Sequence, residues 1–151
     1  MDAIDRLLAI EEIKSLRSRY FRCVDLKDWD GFMAIFAPDA VFDITDDNPG
    51  CIITGKEEIL AFVRPALDGC VSVHHGHCPE ITVTSDTTAS GIWAMEDMLR
   101  WDDPEAPLET LHGYGHYRET YRKIDGCWLV QTMKLTRMRV DIIGKGGVKL
   151  R

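Results

Sequence analysis

The segment Ile124-Asp125-Gly126-Cys127 decides the fold of this chain. An Asp-Gly pair is a strong signal for a two-residue hairpin turn, because both positions accept a positive φ angle. Residues 111–124 and 127–141, on either side of the pair, have the composition of long strands. The segment therefore predicts a β-hairpin near the end of the chain.

The hairpin extends upstream into a meander. Residues 70–84 and 87–101 also have strand character, and the connections between these segments suit neighbours in an antiparallel sheet. Long strands joined in this way form a strongly curved sheet. Gly113 and Gly115 lie inside one of the strands, which indicates a β-bulge or a close approach of the backbone there.

Helical patterns fill the first part of the chain. Residues 4–26 carry apolar or aromatic side chains on one stripe, which predicts a long amphipathic helix. Asp28 caps a short second helix at residues 29–36. Residues 40–44 form a short strand, and a T-x-x-E capping pattern at Thr54 opens a third helix. Three helices ahead of a meander predict an α+β fold, in which the helices pack against the concave side of the sheet.

The chain is expected to form one domain. Its 151 residues suit a single domain, and no linker, repeat or low-complexity segment divides them. We therefore assign residues 1–151 to one domain, in which the glycine-containing segment 142–151 is a flexible tail or contacts a partner. A curved sheet with helices across its mouth leaves a concave pocket with largely apolar walls.

Charge and composition argue against several classes of partner. The formal net charge of −7 disfavours nucleic-acid binding, which needs clustered Lys and Arg to displace counterions. No apolar run approaches the ~20 residues that span a bilayer, and residues 1–5 lack the charged-then-apolar order of a signal peptide. The five cysteines show no C-x-x-C spacing, which is typical of reduced thiols. We expect a cytoplasmic protein that binds neither nucleic acid nor a membrane.

The histidines are the main candidates for acid–base chemistry. Three of the five lie in His74-His75-Gly76-His77, and histidine is the side chain that changes charge near neutral pH. Asp25, near the end of the long helix, can bond one imidazole nitrogen of His74 and leave the other to act as a base. Judged from spacing alone, the simpler interpretation is a surface aspartate and a strand histidine that bonds the backbone.

Tyr20 and Arg137 are further candidates, each with a structural alternative. Tyr20 and Asp25 are five residues apart, roughly 140° around an ideal helix, so Tyr20 also suits a core position. A buried Arg137 can clamp a carboxylate or stabilise a developing enolate, although a salt bridge to one of the many acids is commoner. Alternation along the last strand places Arg137 on one face together with Leu135, Arg139 and Asp141.

A metal site has weak support in the sequence. In a regular strand, His75 and His77 lie on the opposite face from His74, and His112 and His116 share a face of a later strand. The chain has no H-E-x-x-H motif and no dense ligand spacing. We therefore predict neither a metal ion nor another cofactor, and we interpret these histidines as ordinary hydrogen-bonded residues.

A set of short segments, taken in order, resembles SnoaL-like proteins of the nuclear transport factor 2-like superfamily. These segments are Arg19-Tyr20 to Asp25, Asp28-Trp29-Asp30, Phe36-Ala37-Pro38-Asp39-Ala40, Val73-His74-His75-Gly76-His77, Gly91-Ile92-Trp93, Gly113-Tyr114-Gly115-His116-Tyr117 and Leu135-Thr136-Arg137. The resemblance covers residues 3–141 and rests on order and spacing, since no single motif is diagnostic. It implies a cone-shaped roll, in which a curved antiparallel sheet wraps around a long N-terminal helix, with two shorter helices and a deep pocket.

The resemblance also implies a set of catalytic residues. Related members include scytalone dehydratase, bile acid 7-alpha-dehydratase, hexachlorocyclohexane dehydrochlorinase, ketosteroid isomerase and polyketide cyclases. In the dehydratase and dehydrochlorinase group, an aspartate on the first helix pairs with a histidine on the first long strand, and Asp25 and His74 match those positions. Tyr20 matches a tyrosine of the bile acid dehydratases, and Arg137 resembles their late arginine.

The function implied is a cofactor-independent lyase of the dehydratase type, or an isomerase, for a small hydrophobic cyclic substrate. His74 would remove a proton from carbon while Asp25 orients it, Tyr20 would donate to a substrate oxygen, and Arg137 would stabilise negative charge. The side chains expected to contact the substrate are Trp93, His116, Phe21 and Phe42.

Two other functions stay open on the same fold, because this fold supports many chemistries. One is a non-catalytic ligand-binding protein or a protein like the small subunit of a ring-hydroxylating dioxygenase. The other is a polyketide cyclase, which would rely on a carboxylic acid rather than on a histidine base. Family members usually bury the open face of the sheet against a partner, so we expect a homodimer or a homotrimer.

Overall fold

The computed structural model describes residues 2–106, 108–144 and 147–150. Within these ranges the chain forms three helices and a seven-stranded sheet. The helices are α1 (Ala3–Leu26), α2 (Trp29–Met33) and α3 (Lys56–Leu67). The strands are β1 (Phe36–Asp43), β2 (Ile52–Thr54), β3 (Val71–Val83), β4 (Thr88–Arg100), β5 (Thr110–Ile124), β6 (Cys127–Gly144) and β7 (Gly147–Leu150).

Helix α1 begins and ends on local signals in the sequence. The Asp2 carboxylate accepts a hydrogen bond of 2.8 Å from the Asp5 backbone N–H, and the Asp5 carboxylate accepts one from the Asp2 N–H. This reciprocal cap satisfies donors that the first helical turn leaves free. The helix ends at Leu26, and its C-cap residue Lys27 has a left-handed φ of 59°. The last turn, with Asp25, thereby stops against the sheet.

The expected α+β fold is confirmed, with one correction to the sheet. Strands β3 to β6 form the predicted antiparallel meander, in the sheet order β2-β1-β6-β5-β4-β3, and β7 pairs with β6. Strand β1, however, pairs with β6 in parallel, so the sheet is mixed. No hairpin links these two strands, and therefore no local turn signal in the sequence sets their relative direction.

The Asp125-Gly126 turn forms as the sequence predicts. Asp125 and Gly126 have φ angles of 50° and 82°, and Ile124 pairs directly with Cys127 across the turn. Two consecutive positive φ angles are the geometry that matches the twist of paired strands. This turn sets the register of the two longest strands, β5 and β6.

Other boundaries differ from those expected. Helix α2 ends at Met33 rather than at residue 36, because buried Phe36 pairs with Val130 and starts β1. Thr54 belongs to strand β2, and α3 is instead preceded by Gly55 without a side-chain cap. Tertiary pairing outweighs the local helical pattern at both places.

The segment expected to be a flexible tail is largely strand. Residues 142–144 continue β6, and β7 folds back so that Ile143 pairs with Val148 and Asp141 with Leu150. Residues 145, 146 and 151 lie outside the described residues. None of the helices in the described ranges combines the length and the apolar content that crossing a bilayer requires.

A bulge in β6 changes which side chains share a face. Tyr114 pairs with Arg139 but Gly115 pairs with Arg137, so Met138 is an extra residue in β6. Arg139 and Asp141 consequently lie on the other face of the sheet from Arg137. The expectation that strict alternation places these three residues on one face is therefore wrong. Gly113 and Gly115 lie opposite this bulge, where the sequence predicts a bulge or a close approach of the backbone. The approach is close at Gly115, where a Cβ would collide with the Thr136 carbonyl.

The close contact at Gly115 predicts a large loss of stability on adding one methyl group. Gly115→Ala should lower the free energy of unfolding by about 2 kcal/mol or more, because the backbone of β6 must move away. Gly69→Ala is the matched control, since a Cβ there has no atom within 4 Å. Its change should stay within about 0.5 kcal/mol. Equal losses in urea denaturation of the two variants would contradict this account.

Candidate active site

The carboxylate of Asp25 binds His74 in two ways. Its Oδ1 lies 2.7 Å from the ring nitrogen Nδ1, and its Oδ2 accepts a hydrogen bond of 2.9 Å from the His74 backbone N–H. His74 lies on the concave face of the sheet, which packs against α1, and is only 7% exposed. A carboxylate that accepts from Nδ1–H fixes the tautomer and leaves Nε2 as the acceptor. Among the described residues, no side chain bonds Nε2.

A second layer of polar groups holds Asp25. Ser72 donates to Asp25 Oδ1 at 3.0 Å, and the Lys27 ammonium donates to Ser72 Oγ at 2.6 Å and to the Val24 carbonyl at 3.2 Å. These contacts tie the end of α1 to β3. Ser72 and Lys27 were not identified from the sequence, although Ser72 lies two residues before His74 and therefore on the same face of β3.

An aspartate that sequence analysis missed faces His74. Asp97 is the cross-strand partner of His74 and is 4% exposed. Arg137 donates from Nη1 and Nη2 to its two oxygens, at 2.9 Å each. Asp97 follows the buried Trp93 and Met95 at alternate positions of β4. An acidic residue on an otherwise apolar strand face was therefore the sequence signal that could have identified it. The pair needs Gly113, because a Cβ there would collide with both side chains.

Arg137 is occupied by two carboxylates. Besides Asp97, it donates from Nε and Nη2 to Asp47 at 2.9–3.0 Å. Burial disfavours the charged guanidinium, but the hydrogen bonds to Asp97 and Asp47 outweigh it and raise the pKa of Arg137 above its ordinary value. Arg137 therefore stays charged. Its contacts match the alternative that the sequence left open, a salt bridge to acidic residues.

The centre of the cone is filled by a buried arginine. Arg17 is fully buried, and its guanidinium lies 4.1 Å from the ring centroid of Tyr20 and 4.6 Å from those of Phe21 and Tyr117. Its Nη2 lies 3.2 Å from Glu119 Oε1, in an ion pair without hydrogen-bond geometry. Burial raises the pKa of Glu119, although Arg17 opposes this shift. Arg17 was not identified from the sequence, although it is spaced three and four residues from Tyr20 and Phe21.

Tyr20 is both a core aromatic and a protonated phenol. Its ring packs against Phe32, Phe36 and Tyr117. Burial raises the pKa of Tyr20 to about 12, although the charge of Arg17 acts in the opposite direction. At neutral pH the side chain is therefore an O–H donor. Tyr20 and Asp25 both face the sheet despite their angular separation on α1. This is possible because the last turn of α1, which carries Asp25, ends against β3.

The four expected substrate contacts lie in three different places. Phe21 and Trp93 lie together on the concave side, next to Gly76, where an added Cβ would touch both rings. Phe42 is buried in β1, with three strands between it and β3. His116 pairs with Ala94 and alternates with Tyr117, so it lies on the convex face, away from His74. The expectation for His116 is therefore wrong, because its strand position points it outward.

The other strand histidines lie on that convex face too. The side chains of His75 and His77 are 48% and 51% exposed, and Glu96 lies between them and His112. Among the described residues, the group whose atoms lie close enough to hold a metal ion is His75, His77 and Glu96. That group is separated from His74 by the thickness of the sheet.

A cavity opens at the concave mouth of the sheet, with a volume of about 440 Å³. This size suits a small ligand. Arg137 is on its wall and links it to Asp97, the neighbour of His74. His74 and Asp25 are not among the lining residues, which are Asp46, Asp47, Leu99, Leu111, Arg137, Met138, Arg139, Val140 and Ile142.

Known proteins resemble this chain in sequence and in fold. The family model described as SnoaL-like domain matches residues 5–134. The "Probable cyclase FGR4" of Gibberella zeae is 22% identical over 134 residues, which cover 83% of this chain and 89% of that protein.

Two solved structures share the fold at low sequence identity. A scytalone dehydratase-like protein of Novosphingobium aromaticivorans has a TM-score of 0.82 at 18% identity, with 92% of this chain and 90% of that chain covered. Hexachlorocyclohexane dehydrochlorinase LinA-type3 of Novosphingobium barchaimii has a TM-score of 0.80 at 17% identity, with 95% and 96% covered.

The buried ion pair at the centre makes a prediction about stability. Arg17→Met should lower the free energy of unfolding by about 3–5 kcal/mol, because Glu119 is then buried without its counter-charge. The double variant Arg17→Met/Glu119→Gln should regain much of that loss. Lys14→Met is the control, since Lys14 pairs with Glu11 on the surface. It should change stability by about 0.5 kcal/mol at most. Similar melting temperatures for the two single variants would refute the assignment.

Proposed function

The chain belongs to the family of SnoaL-like domains, and from this premise we propose that it is a cofactor-independent acid–base enzyme. Its reaction is the loss of a small leaving group such as water, or the shift of a double bond, in a small hydrophobic cyclic substrate. The observation that carries the proposal is the 2.7 Å contact between Asp25 Oδ1 and Nδ1 of buried His74. The names of the two structural neighbours, dehydratase-like protein and dehydrochlorinase, support an elimination.

His74 is the proposed base. Its Nε2 takes a proton from a substrate carbon, the C–H electron pair forms the new double bond, and the leaving group departs with its own pair. The proton on Nε2 then passes to a departing hydroxyl and completes the water molecule. Asp25 stabilises the imidazolium that forms in between. A positioned acid–base group contributes about 10²–10⁴-fold to the rate.

Tyr20 and Arg137 have supporting roles in this proposal. Tyr20 keeps its proton at neutral pH and can donate to a substrate oxygen. Arg137 holds Asp97 beside His74 and presents its charge at the mouth cavity. Asp47 is the partner that a substrate anion can replace, because its side chain is 35% exposed whereas that of Asp97 is 6% exposed.

The mouth cavity indicates the kind of substrate. Leu99, Leu111, Val140 and Ile142 give it apolar walls, and its charged lining residues are two arginines and two aspartates, Arg137, Arg139, Asp46 and Asp47. Its volume of about 440 Å³ accommodates a molecule of one or two rings. An apolar ring system with one polar oxygen complements these walls, and an anionic group would have to take the place of Asp47 at Arg137.

A cyclase is the second candidate. It is favoured by the buried carboxyl group of Asp97 on the concave face and by the relative named a probable cyclase. In that reaction Asp97 would be the carboxyl group on which the enzyme relies in place of a histidine base. Variants separate the two candidates, because Asp97→Asn should stop a cyclase, whereas His74→Gln should lower the rate of an elimination by about 10²–10⁴-fold.

The packed centre of the cone favours a third, non-catalytic function. Arg17 and the aromatic rings around it occupy the space that a deep pocket would need. A structural subunit requires no such pocket. Co-purification with a larger partner, together with no turnover of any tested substrate, would support this function over the other two.

The expectation of a homodimer or a homotrimer stays a prediction, as does a cytoplasmic location. Val71, Val73 and Met138 are large apolar side chains exposed to solvent, which a partner can cover. Light scattering over a range of concentrations should give the mass of two or three chains. A monomer at every concentration would contradict the prediction.

The base assignment predicts a selective loss of turnover. In a screen of cyclic alcohols and enones, His74→Gln should lower kcat by about 10²–10⁴-fold, and Asp25→Asn should lower it too. His116→Gln is the matched control, since the structure places that histidine on the convex face. Product formation is followed by mass spectrometry. If His74→Gln turns over substrate as fast as the control, the proposed mechanism is wrong.

A further inference from the structure

The convex face carries a second cluster of histidines. His75 and Glu96 are direct cross-strand partners on β3 and β4, and His77 is the next residue of β3 on the same face. His75 Nδ1 lies 3.4 Å from Glu96 Oε1, and His77 Nε2 lies 3.3 Å from the same oxygen. All three potential ligand atoms lie within 4.8 Å of one another.

Two of the three separations among these atoms match the edges of a metal coordination tetrahedron. Ligands at about 2.0–2.1 Å from zinc in tetrahedral geometry are about 3.3 Å apart. A hydrogen bond between an imidazolium and a carboxylate is shorter, at about 2.7–2.9 Å. The separations from Glu96 Oε1 to His77 and His75, 3.3 and 3.4 Å, are thus long for hydrogen bonds and suitable for ligands of one ion.

Glu96 is itself held in place from the other side. His112 Nε2 contacts its second oxygen, Oε2, at 3.1 Å, and the Tyr114 hydroxyl contacts His112 Nδ1 at 3.1 Å. The His112 and Tyr114 rings stack with centroids 4.3 Å apart. An outer pair that orients a carboxylate is typical of metal sites, because it fixes the direction in which the first oxygen points.

We propose that His75, His77 and Glu96 bind a divalent transition-metal ion of the zinc type, with His112 as the residue that positions Glu96. Two imidazoles and a carboxylate are ligands that zinc accepts, and three protein ligands leave a coordination position free for water. Because the side chains of His75 and His77 are about half exposed, an ion can reach the site from solvent. The site lies on the opposite face from His74 and is independent of the proposed reaction.

Metal binding is tested with untagged protein that has been freed of metal with a chelator. Zinc competed against a chromophoric chelator should bind with one equivalent per chain. His75→Gln and Glu96→Gln should each weaken binding by about 100-fold or more, and His112→Gln by about 10–100-fold. His116→Gln, on the same face but outside the cluster, is the control and should bind like the wild type. Cobalt(II) should give the absorption of a four-coordinate ion.

Two results would overturn the proposal. One is wild-type protein that binds no saturable equivalent of zinc, which would leave the cluster as a hydrogen-bonded set of side chains. The other is the triple variant His75→Gln/His77→Gln/Glu96→Gln with undiminished affinity, which would place the zinc elsewhere. Because the three side chains are at least partly exposed, circular dichroism should show that the variants fold.

Discussion

The candidate site depends on the hydrogen bonds that the Asp25 carboxylate accepts. One carboxylate receives the His74 backbone N–H, the His74 ring and the Ser72 hydroxyl. It therefore attaches the end of α1 to β3 and fixes the imidazole at the same time. A loose helix end would leave the ring without a defined orientation, and the unbonded nitrogen Nε2 would not face a fixed direction.

The buried charge of Arg17 sets a second constraint. A guanidinium at the centre of a small domain needs a counter-charge, which Glu119 supplies, and polarisable surfaces, which the rings of Tyr20, Phe21 and Tyr117 supply. This cluster fills the middle of the cone. The space for a ligand is consequently at the mouth, where Arg137 joins the cavity to Asp97 and hence to the neighbourhood of His74.

Features encoded over a few residues could be predicted from the sequence. The Asp125-Gly126 turn, the long first helix and the position of His75 and His77 on the opposite face from His74 follow from turn geometry and periodicity. Features that depend on distant segments could not be predicted in this way. The parallel pairing of β1 with β6 has no local turn signal, and the bulge at Met138 moves Arg139 to the other face. The contact between Asp97 and Arg137 requires the register of three strands, so neither residue alone reveals it.

The most direct measurement of the central claim is the protonation state of the His74 ring by long-range proton–nitrogen NMR. The account predicts a proton on Nδ1, shifted downfield by its short hydrogen bond to Asp25, and no proton on Nε2 in the neutral ring. In Asp25→Asn that downfield proton should disappear while the protein remains folded. A neutral His74 that carries its proton on Nε2, or a spectrum that the Asp25 substitution leaves unchanged, would contradict the account.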